Sequence, residues 1–330
     1  MKIIIPLAGL GTRLRPHTYS KPKPLVNVAG KPVLAHILDE LAVLDVEEII
    51  FIVGYLGDQI EKYVSKNYPQ YKSRFIVQTE MLGQAHAVNL ANEYVTDEVL
   101  IIFADTIFKT DLTLLKNIST DGVIYTKEVE NPASYGVTVL NEQSIITRLV
   151  EKPKTYVSNL AVVGIYYFKK GEWLFSAIKK QMERNIQLGG EYFLADAISI
   201  MIEEKAKFNA FTLEVWEDCG KIDTLLLTNR YLLSKLNDGL HKDEYPDSVI
   251  VPPVYIAPDA KIERSVIGPY VSIAAGVQVI ESILRDCIIN EKAVVKSSTL
   301  SESVIGSNAS VAGTFHRLNV GDNSEINYGE

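Results

Sequence analysis

The sequence predicts an α/β domain built on a mostly parallel sheet over residues 1–236 and a parallel β-helix over 253–330, joined by a linker at 237–252. Three features of the chain predict this. Up to about residue 230, short apolar runs alternate with segments of helical period, the signature of βαβ units around a sheet covered on both faces. The stretch LNDGLHKDEYPDSVIVPP then interrupts that pattern, polar at first and proline-bearing at its end. Beyond it, apolar residues recur every six positions, a period that belongs neither to an α-helix nor to a simple alternating strand. The length of 330 residues, above the roughly 100–200 usual for one core, also suggests two domains.

Each element has its own signal. Ile3–Ile5, Ile49–Val53, Phe75–Val77 and Val99–Phe103 are the short apolar strands. Between the first two, Val33, Leu34, Ile37, Leu38 and Leu41 repeat at helical spacing and mark an amphipathic helix. GQAHAVNLANEYV predicts a second helix with Gly83 at its start. Residues 120–170 are richer in β-branched and aromatic side chains, as in GVIYT, YGVTVL and VVGIYYF, and predict antiparallel strands added over the site. Leu225–Leu236 reads as the closing helix. In the last part, Ile256 and Ile262, then Ile267, Ile273 and Val279, then Ile283, Ile289 and Val295, then Ile305 and Val311 keep the six-residue step. With small residues and glycines between, that step fits the flat faces of a parallel β-helix, the slips in phase falling at corners or loops. Irregular β-hairpins are the alternative reading of the same stretch.

Composition excludes several function classes. With 47% hydrophobic and 22% charged residues the chain has ample material for a core, so disorder is not an option. A net charge of -8 and the lack of any long Lys/Arg block argue against a nucleic-acid surface, so phosphate chemistry here is local. Cys219 and Cys287 are far apart in sequence and imply neither a disulfide framework nor a thiolate metal site, and the five histidines show no ligand spacing. MKIIIPLAGLG is interrupted by Pro6 and followed by Arg13 and Arg15, which makes it a buried first strand rather than a signal peptide. No stretch approaches the ~18 apolar residues of a membrane span, so no membrane association is expected and the cytoplasm is the expected location.

The run Gly9-Leu10-Gly11-Thr12-Arg13-Leu14, directly behind the first strand, suggests a polyphosphate held against backbone. It lacks the third glycine of the dinucleotide fingerprint and an acidic residue about 20 positions later. It also lacks the Gly-Lys-Ser/Thr of the ATPase phosphate loop. Taken alone, GxG is a tight turn.

It does not stand alone. LAGLGTRLRPHTYSKPKPLVNVAGKP resembles, almost position by position, the signature of the sugar-1-phosphate nucleotidyltransferases. Leu82-Gly83-Gln84-Ala85, Ala104-Asp105, Tyr135-Gly136-Val137, Glu151-Lys152-Pro153 and Trp216-Glu217-Asp218-Cys219-Gly220 extend the resemblance through about the first 230 residues. It implies a Rossmann-like nucleotidyltransferase domain, closest in motif to glucose-1-phosphate thymidylyltransferases, and the six-residue repeat looks like the left-handed β-helix that many of these enzymes carry. The implied reaction joins a nucleoside triphosphate, dTTP or UTP, to a sugar 1-phosphate such as glucose 1-phosphate and releases pyrophosphate. Both reactants are anions, so positioning and charge neutralisation dominate.

Glycines at 9 and 11 would let backbone N–H groups approach the triphosphate, with Leu7, Ala8 and Thr12 completing the nucleotide-binding run. Arg13 has the fork geometry to take two phosphate oxygens of the leaving pyrophosphate. Lys23 stands between Pro22 and Pro24, which restrict the backbone on either side; by resemblance it meets the α-phosphate and the sugar phosphate. Lys152 matches the lysine that holds the sugar 1-phosphate. Asp105 closes the strand VLIIFAD, where ligands bind in open α/β sheets. The resemblance makes it a ligand of Mg²⁺, with Asp218 the second; Glu217 competes for that role because strand alternation turns only one of the two inward, and Asp218 is the choice. Gln78 and Gly83 match positions that contact a pyrimidine, although Gln78 also simply ends a strand and Gly83 simply starts a helix. Gly136, Glu151, Asn159, Gly164 and Tyr192 align with the sugar pocket, Glu151 best because a carboxylate accepts two hydroxyls. Ala8 and Ala104 replace frequent glycines, and both are small enough to keep the backbone close.

Three other readings stand beside this one. A mannose-1-phosphate guanylyltransferase is the nearest, since QTEMLGQAHAV does not settle the base. A bifunctional enzyme would use the β-helix as an acyltransferase with His316 in GTFHRLNVG as general base, although residues 250–326 supply only about four coils of three hexads. A non-catalytic regulatory relative should lose a metal aspartate or a phosphate cation, and all five of Arg13, Lys23, Asp105, Lys152 and Asp218 are present. A homo-oligomer is expected from the β-helix flank and the apolar helices.

Overall fold

The computed structural model describes residues 1–236, 245–313 and 317–327. The chain forms two compact units, one of Met1–Gly9, Ile37–Ala104 and Phe108–Trp216, the other of Leu10–His36, Asp105–Ile107 and Glu217–Glu330. The division read from the sequence is a single cut after residue 236; the structure instead groups Leu10–His36 with the C-terminal part. The reason lies in where its polar groups bond: Asn27 donates to Glu291 at 2.8 Å, and the Ala29 N–H to the side chain of Asn229 at 2.9 Å.

The first unit carries β1 (Lys2–Pro6), the second half of α1 (Val33–Glu40), β2 (Glu48–Val53), α2 (Gly57–Asn67), β3 (Ser73–Val77), α3 (Gln84–Asn89) and β4 (Val99–Ile102). Then come β5 (Gly122–Glu128), β6 (Gly136–Leu140), β7 (Ile146–Glu151), β8 (Leu160–Phe168), α4 (Gly171–Glu183), α5 (Leu194–Glu203) and β9 (Phe208–Thr212). The sheet runs β7-β6-β8-β4-β1-β2-β3, with β5 paired to β8 and β9. β4, β1, β2 and β3 are parallel, and β6, β7 and β8 join antiparallel as the aromatic-rich sequence predicts. Ile4, Ile50, Ile52, Val99 and Ile101 from the strands and Leu174, Ile178, Leu194 and Ile198 from α4 and α5 share one buried cluster. Near-continuous apolar strands are what a sheet covered on both faces requires. The sequence pattern passes over α2 because Ile60 and Val64 are the only large apolar residues it buries.

The second unit holds α6 (Ile222–Leu233) and the β-helix, whose strands all pair in parallel within a seven-stranded and a five-stranded sheet. Its first strand, Val249–Ile250, pairs with Val266–Ile267 and lies within the stretch expected to be linker. Coils advance by 17 residues from Val249 to Val266, by 16 from Ile283 to Thr299 and by 15 from Val304 to Asn319, rather than by three full hexads. Shortened corners account for the phase slips. Several corner residues, including Arg264, Glu281, Ser297, Lys292, Asn308 and Asn323, take positive φ, which turns the chain sharply between flat faces. Inside one corner Ser265, Ser282 and Ser298 form a ladder in which the N–H of each upper serine donates to the hydroxyl below, at 3.0 and 3.1 Å. The interior is packed with Ile262, Ile267, Val279, Val295 and Val311, which keep the six-residue step, and with Leu284, which turns inward where Ile283 was expected; Ile283 is exposed because neighbouring strand residues face opposite sides.

Candidate functional site

Cations and carboxylates from three distant parts of the chain meet in the second unit. Gly11, at φ 61, turns the chain after the first strand's exit, and its carbonyl accepts from the Leu14 N–H at 2.9 Å and from the Thr18 hydroxyl at 2.8 Å. A Cβ on Gly11 would stand 2.9 Å from the Cβ of Lys23, so the glycine brings these two parts of the signature together. Lys23 opens a short 3₁₀ turn, Lys23–Leu25, and its ammonium lies 3.5 Å from Asp105 Oδ2. The carbonyl of Asp105 accepts from the Cys219 N–H at 2.9 Å, which sets the Trp-Glu-Asp-Cys-Gly segment beside it. Asp218 Oδ1 accepts from the Gly220 N–H at 2.7 Å, and Arg13 Nη2 lies 3.1 Å from the place a Gly220 Cβ would occupy. A Cβ on Gly220 would thus meet the side-chain ends of both Asp218 and Arg13, the residues on either side of the expected phosphate site. Burial pushes the Cys219 thiol up to about 12, with the charges of Asp218, Lys23 and Asp105 also acting on it, so this cysteine is an inert core group.

Asp105 and Asp218 offer hard carboxylate oxygens, and among the described residues no group of three or more His, Cys, Asp or Glu gathers into a cage. That donor set suits a cation that completes its shell with phosphate oxygens and water. Thr12 and Arg13 are exposed in the 3₁₀ turn Thr12–Leu14, open to an anion.

The remaining expected residues lie in the first unit. Leu7 continues β1, its N–H donating to Ile52 at 2.7 Å, and Ala8 packs against Gly54, where a Cβ would meet the Ala8 carbonyl at 2.7 Å. Nothing lies within 4 Å of an ideal Cβ on Gly9. Glycine there answers no packing need.

β6 and β7 pair so that Gly136 faces Glu151, and a Cβ on Gly136 would approach Glu151 Oε2 to 2.8 Å. Burial raises the Glu151 carboxyl; Lys152 lowers it and Asp196 adds to the rise. Asp196, in the first turn of α5, is itself raised by burial. Lys152 holds a left-handed φ of 43, with its ammonium 3.9 Å from Glu151 Oε1 and 4.5 Å from the centre of the Phe193 ring. A lysine in that conformation is locally strained, and strain of this kind collects at ligand sites. Gly136, Glu151 and Lys152 thus converge, and Asp196 and Phe193 join them unforeseen. Their only sequence trace was the acidic and aromatic run beside Tyr192.

Other residues receive structural explanations. Gly83 has φ 101, and a Cβ there would stand 2.7 Å from both the N and the O of Tyr192. The Tyr192 backbone, bonded to Leu82 and Ala85, packs closely on one side of Gly83. The Tyr192 hydroxyl donates to Asn185 at 3.0 Å. Gly164, at φ 83, lies at the irregularity where the β8–β5 register shifts, and its carbonyl accepts from Phe103 at 2.9 Å. Asn159 is exposed, and its carbonyl accepts from Val129. Gln78 is buried with its amide 3.2 Å from His86 Nδ1. His316 lies outside the described residues, and no described helix is long and apolar enough to cross a membrane.

A parallel α/β sheet, a glycine-arginine turn, a lysine paired with an aspartate and a second aspartate near the arginine define a phosphate-handling α/β protein with an attached β-helix. The chain belongs to the nucleotidyl transferase family, whose model matches residues 2–235. It is 39% identical to the bifunctional protein GlmU of Methanocaldococcus jannaschii over 255 residues, 76% of this chain and 59% of that protein. The chain thus spans about three fifths of the length of the curated relatives it first matches. A glucose-1-phosphate thymidylyltransferase of Streptomyces antibioticus is 28% identical over 357 residues, 99% of each chain. Among solved structures, a Bacillus anthracis protein provisionally assigned as a glucose-1-phosphate thymidylyltransferase, in complex with a sucrose, aligns with TM-score 0.62 and 27% identity over 73% of this chain and 98% of its own.

Proposed function

We propose that the chain transfers a nucleotidyl group from dTTP or UTP to a sugar 1-phosphate, with glucose 1-phosphate the first candidate, and releases pyrophosphate. The observation that carries this reading is the gathering of Arg13, Lys23, Asp105 and Asp218 in one unit from segments some 80 to 200 positions apart in the family's own motifs. The full-length similarity to a glucose-1-phosphate thymidylyltransferase supports the choice of substrates.

In this reading the phosphate oxygen of the sugar 1-phosphate attacks the α-phosphorus. The new P–O bond forms as the bond to the β-phosphate oxygen breaks, and pyrophosphate leaves with that electron pair. The attacking oxygen is already ionised, so no general base is required. Arg13 binds the β- and γ-phosphates and takes up the charge that grows on them. Lys23 neutralises the α-phosphate, its ammonium held in reach by Asp105. Lys152 binds the sugar phosphate, and Glu151 accepts from sugar hydroxyls. Mg²⁺ at Asp105 and Asp218 would screen the triphosphate.

The test is pyrophosphate release by the purified chain with Mg²⁺, crossing five nucleoside triphosphates with glucose-, mannose-, galactose- and N-acetylglucosamine-1-phosphate. One strong pair containing dTTP or UTP, abolished by Asp105→Asn, is the expected result. Strong turnover with GTP and mannose 1-phosphate would replace the proposed substrates, and silence across the grid would remove the activity.

A further inference from the structure

The signature segment bonds along one corner of the β-helix. Glu291, Ser307 and Asp322 occupy equivalent positions on successive coils: the Asn308 N–H donates to the Glu291 carbonyl and the Asn323 N–H to the Ser307 carbonyl, at 2.9 and 2.7 Å. Each is followed by a residue at positive φ, Lys292, Asn308 and Asn323, so all three side chains leave the coil at the same bend. Together they form a polar column, and the segment from Ser20 to Asn27 bonds to it.

Glu291 is its centre. Its Oε2 accepts from Lys21 Nζ at 2.9 Å and from the Ser307 hydroxyl at 2.7 Å, and its Oε1 accepts from Asn27 at 2.8 Å. Lys21 also donates to Ser307 at 3.2 Å. One coil further, Asp322 bonds Ser20 through one carboxylate oxygen and accepts the Ser307 N–H on the other at 2.6 Å, while Asn319 bonds His17. Burial works against ionisation of Glu291, but Lys21 and the hydrogen bonds outweigh it and hold the carboxyl down at about 2. The carboxylate is thus charged across the neutral and mildly acidic range.

Lys21 and Asn27 bracket Lys23, and Lys23 has Pro22 and Pro24 on its two sides. Fixing the residues on both sides of so stiff a tripeptide fixes where its lysine emerges. A lysine that must meet a phosphate in the transition state loses rate when displaced by an ångström. We propose that Glu291 is a positioning residue: through Lys21 and Asn27 this β-helix carboxylate sets the place of Lys23, which makes the β-helix a working part of the phosphate site. The role in rate rests on the function proposed above; the clamp itself does not.

The experiment therefore reads both. Amide hydrogen exchange of the full chain reports the order of residues 16–30 without any substrate, and steady-state pyrophosphate release reports the rate. Glu291→Ala is expected to speed exchange in residues 16–30 at least tenfold, with strands β1, β2 and β4 unchanged, and to lower kcat/KM for the nucleotide about tenfold, the scale of a lost charge-assisted hydrogen bond. Glu291→Gln, which keeps an acceptor for Asn27, should fall between. Lys21→Met should cost a similar factor, and the double variant Lys21→Met/Glu291→Gln no more than the larger single loss, because both remove the same link.

Unchanged exchange in residues 16–30 would overturn the clamp and leave the proposed activity intact. Faster exchange with an unaltered kcat/KM would overturn the positioning role, as would losses that simply multiply in the double variant. If the wild-type chain releases no pyrophosphate with any pair, the proposed function fails, and the exchange result alone then decides whether Glu291 holds the segment.

Discussion

Gly9 and Gly11 stand two residues apart in the signature, and alanine at each should produce opposite phenotypes. At Gly11 the φ of 61 alone costs an alanine about 1–2 kcal/mol. The added Cβ would also lie 2.9 Å from Lys23 Cβ and 3.1 Å from Thr18 Cγ2. The first of these atoms is fixed to the backbone and cannot swing aside, so the Lys23–Leu25 turn has to shift. A total loss near 2 kcal/mol corresponds to a fall in Tm of about 3 °C for a chain of 330 residues, whose unfolding entropy at about 2.1 cal/mol/K per residue is about 0.7 kcal/mol/K. Displacing Lys23 by even part of an ångström should lower kcat by about tenfold or more. At Gly9 the added Cβ meets nothing within 4 Å, so Tm should change by less than about 1 kcal/mol would move it. In the proposed function its methyl would instead meet the triphosphate expected against this backbone, raising KM for the nucleotide about tenfold. Thermal melts of the two variants, paired with KM and kcat from pyrophosphate release, decide the matter. A Gly9→Ala variant that melts as early as Gly11→Ala, or that binds nucleotide as the wild type does, would refute the assignment of one glycine to ligand and the other to fold.

Gly136→Ala places a Cβ 2.8 Å from Glu151 Oε2 and should raise KM for the sugar 1-phosphate several-fold while leaving that for the nucleotide unchanged, measured by varying each substrate in turn. Gly83→Ala, at φ 101 and 2.7 Å from two Tyr192 backbone atoms, should lower Tm by several degrees whether or not nucleotide is added. A loss confined to nucleotide binding would instead support the base-edge role expected from sequence. Glu291 titrates near 2 in the folded chain against an ordinary 4.5, so the folded state binds fewer protons across that window. Its contribution is whole above pH 4.5 and lost as the pH falls toward 2; acid titration of stability should be steeper there for the wild type than for Glu291→Gln. Glu151 carries the opposite sign: with its carboxyl raised by burial, stability falls as pH rises from the ordinary value through the raised one, a decline that Glu151→Gln should remove.

Much of this was visible in the chain. Apolar runs such as Ile3–Ile5 and Ile49–Val53 read as strands of a sheet covered on both faces, and the six-residue step of Ile267, Ile273 and Val279 pointed to repeated flat faces, which the structure bears out against the hairpin alternative. Gly11, Arg13, Lys23, Asp105 and Asp218 were legible as a set through the resemblance of their motifs to one family, with the placement of glycine, proline and charge making each expected role physically reasonable. The α2 helix was not legible, since it buries too narrow a stripe to show a period.

What the sequence determined by itself, then, is the class of each segment and the chemistry each motif can supply. Tertiary structure decided the neighbours. It set Gly83 against the Tyr192 backbone, brought Asp196 and Phe193 to Glu151 and Lys152, and set the signature segment against Glu291, some 260 to 270 positions away in the chain. Local patterns are set by interactions within a few residues of backbone, and periodicity reports which face of an element is buried, but neither records which distant side chain will meet that face. A half-buried glutamate at a β-helix corner looks like any solvated charge until the fold delivers a lysine and an asparagine to it.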